Sequence, residues 1–156
     1  MTEETLWSLL QEVKDPEIPA ISLVEMGMVN KAVVEDGIVR IEVLPTFVGC
    51  PALEIMKRNI SEIVGAAEGV KEVHVQFVFE PAWTSDRISE VGREKLKTFG
   101  IAPPPDLLQI EESFEAACPF CGSSQTRLDN LFGPAACRSI LYCESCKNPF
   151  EAMKPV

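Results

Sequence analysis

Residues 28–44 read M-V-N-K-A-V-V-E-D-G-I-V-R-I-E-V-L, and the fold turns on them. Two β-forming runs meet at Glu35-Asp36-Gly37. Asp-Gly is the dipeptide that a tight hairpin turn favours, because both central residues need a positive φ. The stretch therefore predicts two antiparallel strands.

Working outward, Leu6, Leu9, Leu10 and Val13 repeat at i, i+3, i+4 and i+7, which predicts a first amphipathic helix. It must end at D-P-E-I-P (15–19), because Pro16 disfavours helical geometry at Asp15 and Pro19 interrupts again. Downstream, A-L-E-I-M-K-R-N-I-S-E-I-V-G-A-A sets Leu53, Ile55, Met56, Ile60, Ile63 and Val64 mainly on one side of a second helix. Val73, Val75, Phe77 and Phe79 then alternate on one face of a third strand over 70–79. A third helix follows in S-D-R-I-S-E-V-G-R-E-K-L-K-T-F-G, with Thr84 or Ser85 as its cap and Gly100 near its end. The step from 38–44 through the second helix to 70–79 predicts parallel strands joined by a right-handed crossover. The expected class is α/β (α+β): a small helix-covered sheet with a β-hairpin and a β-α-β step, followed by a small C-terminal module whose C-x-x-C pairs, Cys118/Cys121 and Cys143/Cys146, read as a zinc ribbon. The expected boundaries are a first domain over 1–99, a Pro-rich linker over 100–117 containing I-A-P-P-P-D, and the ribbon over 118–156.

Composition narrows the partners. The chain carries 24 acids against 14 bases, a formal net charge of −10, which repels phosphate backbones and argues against nucleic acid. No apolar run approaches the ~20 residues of a membrane span. The N-terminus, M-T-E-E-T-L-W-S-L-L-Q-E-V, has acids where an export signal has positive charge. The expected address is the cytoplasm.

Of six cysteines, Cys50 stands alone and five crowd into the last 39 residues. In a reducing compartment such a cluster reads as a metal site rather than a disulfide framework. Cys118-Pro-Phe-Cys121 and Cys143-Glu-Ser-Cys146 are two C-x-x-C turns separated by 21 residues. Each turn converges two thiolates on one ion, and two turns complete a closed tetrahedral site that is structural rather than catalytic. Zinc is the expected ion. Spacing alone leaves an iron site on the same ligands open. Cys137 is the odd one: a buried small residue, an extra ligand, or a ligand to a transient cluster.

Three polar landmarks mark the first domain: Asp15-Pro-Glu17, Thr46 with Gly49-Cys50-Pro51, and Trp83-Thr84-Ser85-Asp86. With Pro51 in the first helical turn, Cys50 falls at the N-cap, where unpaired amides and the positive end of the dipole favour thiolate and metal binding. The plainer alternatives are a buried filler at a tight turn for Cys50, a capped or solvated loop for Asp15 and Glu17, and packing for Trp83. His74, the one histidine, reads as a surface strand residue, which leaves Cys50 without the usual base of a thiol enzyme.

D-P-E-I-P, V-E-M-G-M-V, P-T-F-V-G-C-P and F-E-P-A-W-T-S-D-R-I-S, in that order over residues 4–98, resemble the SufT-like family of iron–sulfur assembly proteins. That family includes the eukaryotic cytosolic iron–sulfur targeting subunit. With C-P-F-C-G-S, G-P-A-A-C-R-S and Y-C-E-S-C-K-N-P-F-E-A-M-K-P added, nearly the whole chain resembles the D-subunit family of phenylacetyl-CoA epoxidase systems (ring-1,2-epoxidase, phenylacetate-CoA oxygenase). The resemblance implies an accessory protein of aerobic phenylacetate degradation, encoded with a di-iron oxygenase and its iron–sulfur reductase. It places the cluster-linked cysteine on Cys50, the acidic loop on Asp15 and Glu17, and the Trp-Thr pair on Trp83 and Thr84. The expected role is maturation: loading or repairing an iron–sulfur cluster, or the di-iron centre, with a transient cluster on Cys50. The expected partners are the oxygenase and reductase subunits or the assembly machinery, with a homodimer left open. A non-catalytic structural subunit is the alternative, and a thiol-dependent enzyme comes third.

Overall fold

A computed structural model describes residues 1–105 and 116–156, which form two compact units, Met1–Trp83 and Thr84–Val156. In the first unit, α1 (Glu3–Glu12) starts at Thr2, whose side chain accepts the Thr5 N–H, and buries Leu6 and Leu10. Strands β1 (Val29–Glu35) and β2 (Ile38–Val43) form the expected hairpin. Asp36 and Gly37 both have positive φ, 51° and 84°. A Cβ on Gly37 would lie 2.7 Å from the Gly69 carbonyl oxygen, so glycine is required here for space as well as conformation. The Gly37 carbonyl in turn accepts the Lys71 N–H at 2.8 Å, seating the start of β3 (Glu72–Phe77).

The sheet order is β1-β2-β3, with β2 and β3 parallel in register Val39–Val73 and Ile41–Val75. Val39, Ile41 and Val43 are buried while Arg40 is exposed, so β2 commits one face to the core. Between β2 and β3, α2 (Leu53–Gly65) buries Met56, Ile60 and Val64, a strict i, i+4, i+8 stripe. Ile55, assigned to that stripe from the sequence, is instead exposed. Phe79 lies past the end of β3 and is half exposed.

The second unit opens with a 3-10 turn, Ser85–Arg87, ahead of α3 (Glu90–Phe99). The cap of α3 is Ser89, whose hydroxyl accepts the Gly92 N–H at 3.0 Å, rather than Thr84 or Ser85. The intervening S-D-R segment closes its own tight turn first, with the Arg87 N–H on the Thr84 carbonyl. Gly100 ends α3 at φ 95°. The chain passes directly into β4 (Ile101–Ala102), which pairs in parallel with β7 (Pro149–Met153). By compactness α3 and β4 fall together in the second unit. β5 (Thr126–Asn130) and β6 (Arg138–Cys143) complete a four-stranded sheet of order β4-β7-β6-β5. Residues 106–115 of the expected linker lie outside the described residues. Among those described, no helix is long and apolar enough to cross a membrane.

Candidate functional site

Two C-x-x-C turns of matching geometry build the metal centre. The Gly122 N–H donates to the Cys118 carbonyl at 2.8 Å, and the Lys147 N–H to the Cys143 carbonyl at 2.9 Å. Gly122 and Lys147 both adopt positive φ, 76° and 62°, each just past the second cysteine of its turn. The Cys118 N–H returns to the Ser123 carbonyl and the Cys143 N–H to the Asn148 carbonyl, both at 2.9 Å. Lys147 shapes the second turn and Asn148 hydrogen-bonds Cys146, contributions that the sequence analysis does not single out. The signal was the alignment of C-x-x-C-K-N with C-x-x-C-G-S.

Together the turns bring the Sγ atoms of Cys118, Cys121, Cys143 and Cys146 within 4.8 Å of one another. The closest approaches are 3.7 Å for Cys118–Cys146 and 3.6 Å for Cys121–Cys143. Tetrahedral zinc with Zn–S bonds of about 2.3 Å needs sulfurs about 3.8 Å apart, so the donor set fits. The thiols as placed do not share one acidity. Hydrogen bonds from Asn148, led by its side chain, hold Cys146 down at about 6. The Ser123 N–H pulls Cys121 down too, but desolvation and the sulfurs of Cys143, Cys146 and Cys118 push it up to about 11. A divalent ion at the centre would hold all four as thiolates and would supply folding energy rather than reactivity.

Cys137 is not among these ligands. It precedes β6 while Cys143 ends it; six extended residues separate them by about 20 Å. The extra-ligand role considered for Cys137 is therefore ruled out for this centre.

The second site lies at the C-terminal end of β2. The chain leaves Leu44, whose N–H donates to the Met28 carbonyl at 2.7 Å, and passes half-buried Thr46 to an exposed tip at Val48 and Gly49. Gly49 has φ 82° with nothing within 4 Å of a built Cβ. Its role is thus to reverse the chain in a left-handed conformation rather than to make room beside the sulfur. Cys50 is only 8% exposed. It is not the N-cap: Pro51 and Ala52 form a turn, and α2 begins at Leu53 with Ala52 as its cap. The Ala52 N–H nevertheless reaches the sulfur.

The expected thiolate is not what this environment favours. Burial pushes the Cys50 thiol up from its ordinary value, outweighing the Ala52 N–H that pulls it down, and the charges of Glu17 and Asp15 push it up further. Those two residues come from the D-P-E-I-P loop. Its shape is set by Asp15, whose Oδ1 accepts the N–H groups of Glu17 at 2.8 Å and Ile18 at 3.2 Å. The Asp15 N–H closes the loop on the Ile21 carbonyl at 2.9 Å. Asp15 is buried and Glu17 exposed.

Trp83 is buried, with its Nε1–H donating to the Met26 carbonyl at 2.8 Å, a packing role in the first unit. Thr84 opens the second unit. His74 is an exposed strand residue paired with Glu72 at 3.2 Å, as expected.

Comparison with known proteins follows this division. Residues 3–76, which contain Asp15, Glu17, Thr46 and Cys50, match a family described as iron–sulfur cluster assembly protein. Residues 102–154, which contain all four clustered cysteines, match the PaaD zinc beta ribbon domain. A protein of Escherichia coli K12, provisionally named as the D subunit of 1,2-phenylacetyl-CoA epoxidase, is 37% identical over 96% of this chain and 90% of its own length.

The chain belongs to this D-subunit family. Its first unit has wider kin. An iron–sulfur protein maturation auxiliary factor of Porphyromonas gingivalis is 36% identical over 57% of this chain and 85% of the relative. The crystal structure of a domain of unknown function from Bacillus anthracis superposes with a TM-score of 0.56 at 26% identity, covering 60% of this chain and 90% of that one. This chain thus joins a domain matched to iron–sulfur cluster assembly proteins, with one buried thiol, to a ribbon with four convergent thiols.

Proposed function

We propose that this protein is a maturation subunit of a phenylacetyl-CoA epoxidase system, working in the reducing cytoplasm. In this reading it passes iron–sulfur or iron cargo to the oxygenase or reductase through Cys50. The observation that carries the reading is the placement of one buried thiol under the charges of Asp15 and Glu17, in a domain matched to iron–sulfur assembly proteins.

The electrostatics give that arrangement a direction. Two carboxylates disfavour an isolated thiolate, yet they attract a cation. Cys50 therefore rests as a protonated, unreactive thiol, and ligation of an incoming metal cargo releases its proton. Once the cargo leaves, the same charges favour taking the proton back. Asp15 shapes the loop, and Glu17 adds an exposed charge that acts on the thiol. Among the described residues Cys50 belongs to no group of three or more convergent metal ligands, which suits a ligand that shares its cargo with another molecule. The ribbon would hold zinc as a rigid docking module.

The test is anaerobic incubation of the zinc-loaded protein with ferrous iron and sulfide, followed by desalting and iron analysis. Wild type should retain iron that Cys50→Ser does not, with zinc content equal in the two. Equal iron in both would overturn the reading. A second reading, a stoichiometric structural subunit, draws on the burial of Cys50. It predicts permanent association with the oxygenase and indifference to Cys50→Ser.

A further inference from the structure

The two C-x-x-C turns repeat each other in backbone and differ in what their last residue does. Ser123 and Asn148 hold the same place, two positions past the second cysteine of their turns. The carbonyl of each accepts the N–H of its turn's first cysteine at 2.9 Å. The N–H of each reaches the sulfur of the second, Cys121 or Cys146. The side chains then diverge. The Ser123 hydroxyl accepts the Gln125 N–H at 3.1 Å and so serves the loop. The Asn148 Nδ2 donates to the Cys146 carbonyl at 3.2 Å and to the Cys146 Sγ at 3.5 Å. The Cys146 sulfur therefore carries a side-chain amide donor, where Cys121 has only the backbone N–H of Ser123 and the neighbouring sulfurs.

The difference falls on the two cysteines that meet solvent. Cys118 and Cys143 are buried, whereas Cys121 is exposed and Cys146 half-buried. With an ion bound, all four are thiolates. A donor on a metal-bound thiolate draws on its charge, fixes its orientation and lowers its nucleophilicity. Of the two thiolates open to solvent, Cys146 has that extra donor and Cys121 does not.

We propose that Asn148 is a positioning residue of the metal centre: its Nδ2–H holds and quiets the Cys146 thiolate, leaving Cys121 as the sulfur that electrophiles attack first. Four ligands of one kind then make a chemically asymmetric site, with one guarded thiolate and one reactive one. In such an attack the metal-bound thiolate forms an S–C bond, the leaving group departs with its electron pair, and the neutral thioether that results no longer holds the ion. The asymmetry stands independently of any cargo role for Cys50.

The experiment treats the full-length, zinc-loaded chain with iodoacetamide, maps the alkylated cysteines by peptide mass analysis over time, and follows zinc release with a chromogenic chelator. Zinc affinity by chelator competition and the sulfur-to-metal charge-transfer band of the cobalt-substituted chain add two readouts that need no alkylation. Wild type is compared with Asn148→Ala, Asn148→Ser and Ser123→Ala. Asn148→Ser gives the second turn the residue with which the first already folds, so it serves if the alanine variant is unstable. Wild type should be modified at Cys121 before Cys146. Both Asn148 variants should raise the Cys146 rate about 3–10-fold relative to Cys121, the part of a charge-assisted hydrogen bond that nucleophilicity feels. They should also weaken zinc about 10–100-fold and move the charge-transfer band to longer wavelength, while Ser123→Ala stays near wild type in all three. A Cys146-to-Cys121 ratio unmoved in both Asn148 variants would overturn the proposal; if zinc still weakened, Asn148 would only shape the turn through the Cys146 carbonyl. Cys146 reacting before Cys121 in wild type, or the same shifts in Ser123→Ala, would overturn it too.

Discussion

Replacing Asp15 separates two roles of one buried carboxylate. Its Oδ1 holds the N–H groups of Glu17 and Ile18, and its charge helps push up the Cys50 thiol. A hydrogen bond to a charged acceptor contributes about 1.5–3 kcal/mol and a neutral one about 0.5–1.5. Asp15→Asn keeps an oxygen able to accept both N–H groups, so over the two bonds it should lose about 2–3 kcal/mol. Asp15→Ala orphans two donors at about 1–3 kcal/mol each, a loss centred on about 4 kcal/mol. Urea unfolding measures both.

The second readout is the alkylation rate of Cys50 against pH, followed by peptide mapping. The thiolate is the nucleophile, so lowering the thiol's pKa speeds the reaction at neutral pH. Asp15→Asn removes a negative charge and should shift the alkylation curve to lower pH, and Glu17→Gln should shift it in the same direction. The reasoning fails if Asp15→Ala is as stable as Asp15→Asn, or if neither neutral variant moves the curve.

The raised thiol also sets a sign for stability. Its contribution is fully present below the unfolded thiol's pKa and is lost as pH rises through the folded value, so alkaline unfolding of Cys50→Ala should be less pH-dependent than that of wild type. At the ribbon, Cys121→Ser should abolish stoichiometric zinc by elemental analysis while Cys137→Ser keeps about one ion per chain; zinc loss in the Cys137 variant would contradict the ligand assignment. Gly37→Ala should cost more than Gly49→Ala in thermal unfolding. Both have positive φ, worth about 1–2 kcal/mol to a non-glycine residue, but only Gly37 adds a collision with the Gly69 carbonyl.

What the sequence made legible was local. Asp36-Gly37 forces its turn whatever surrounds it, and four cysteines at ribbon spacing converge by the geometry of their own turns. What it concealed depended on distant partners. β4 is two residues long and exists because β7, some fifty positions later, pairs with it; no periodicity in I-A-P-P-P-D announces that. The start of α3 was misplaced because Ser85 and Ser89 are both acceptable caps, and only the S-D-R turn decides between them. Cys50 was read as an activated thiol because Pro51 implied a helix start at 51. The helix starts two residues later, and burial of the sulfur with the charges of Glu17 and Asp15 outweighs the Ala52 N–H and reverses that sign. The acidic loop was recognised as a landmark, but its charge acts on the thiol only once the fold brings Asp15 and Glu17 to Cys50.

In the proposed function Cys50 delivers iron or iron–sulfur cargo to the epoxidase. The most direct measurement co-expresses the oxygenase and reductase subunits with wild type or with Cys50→Ser, then determines client iron content and epoxidase activity. Delivery through Cys50 predicts an intact Cys50→Ser protein with normal zinc, iron-poor clients and low activity. Equal iron and equal activity in the two preparations would contradict it.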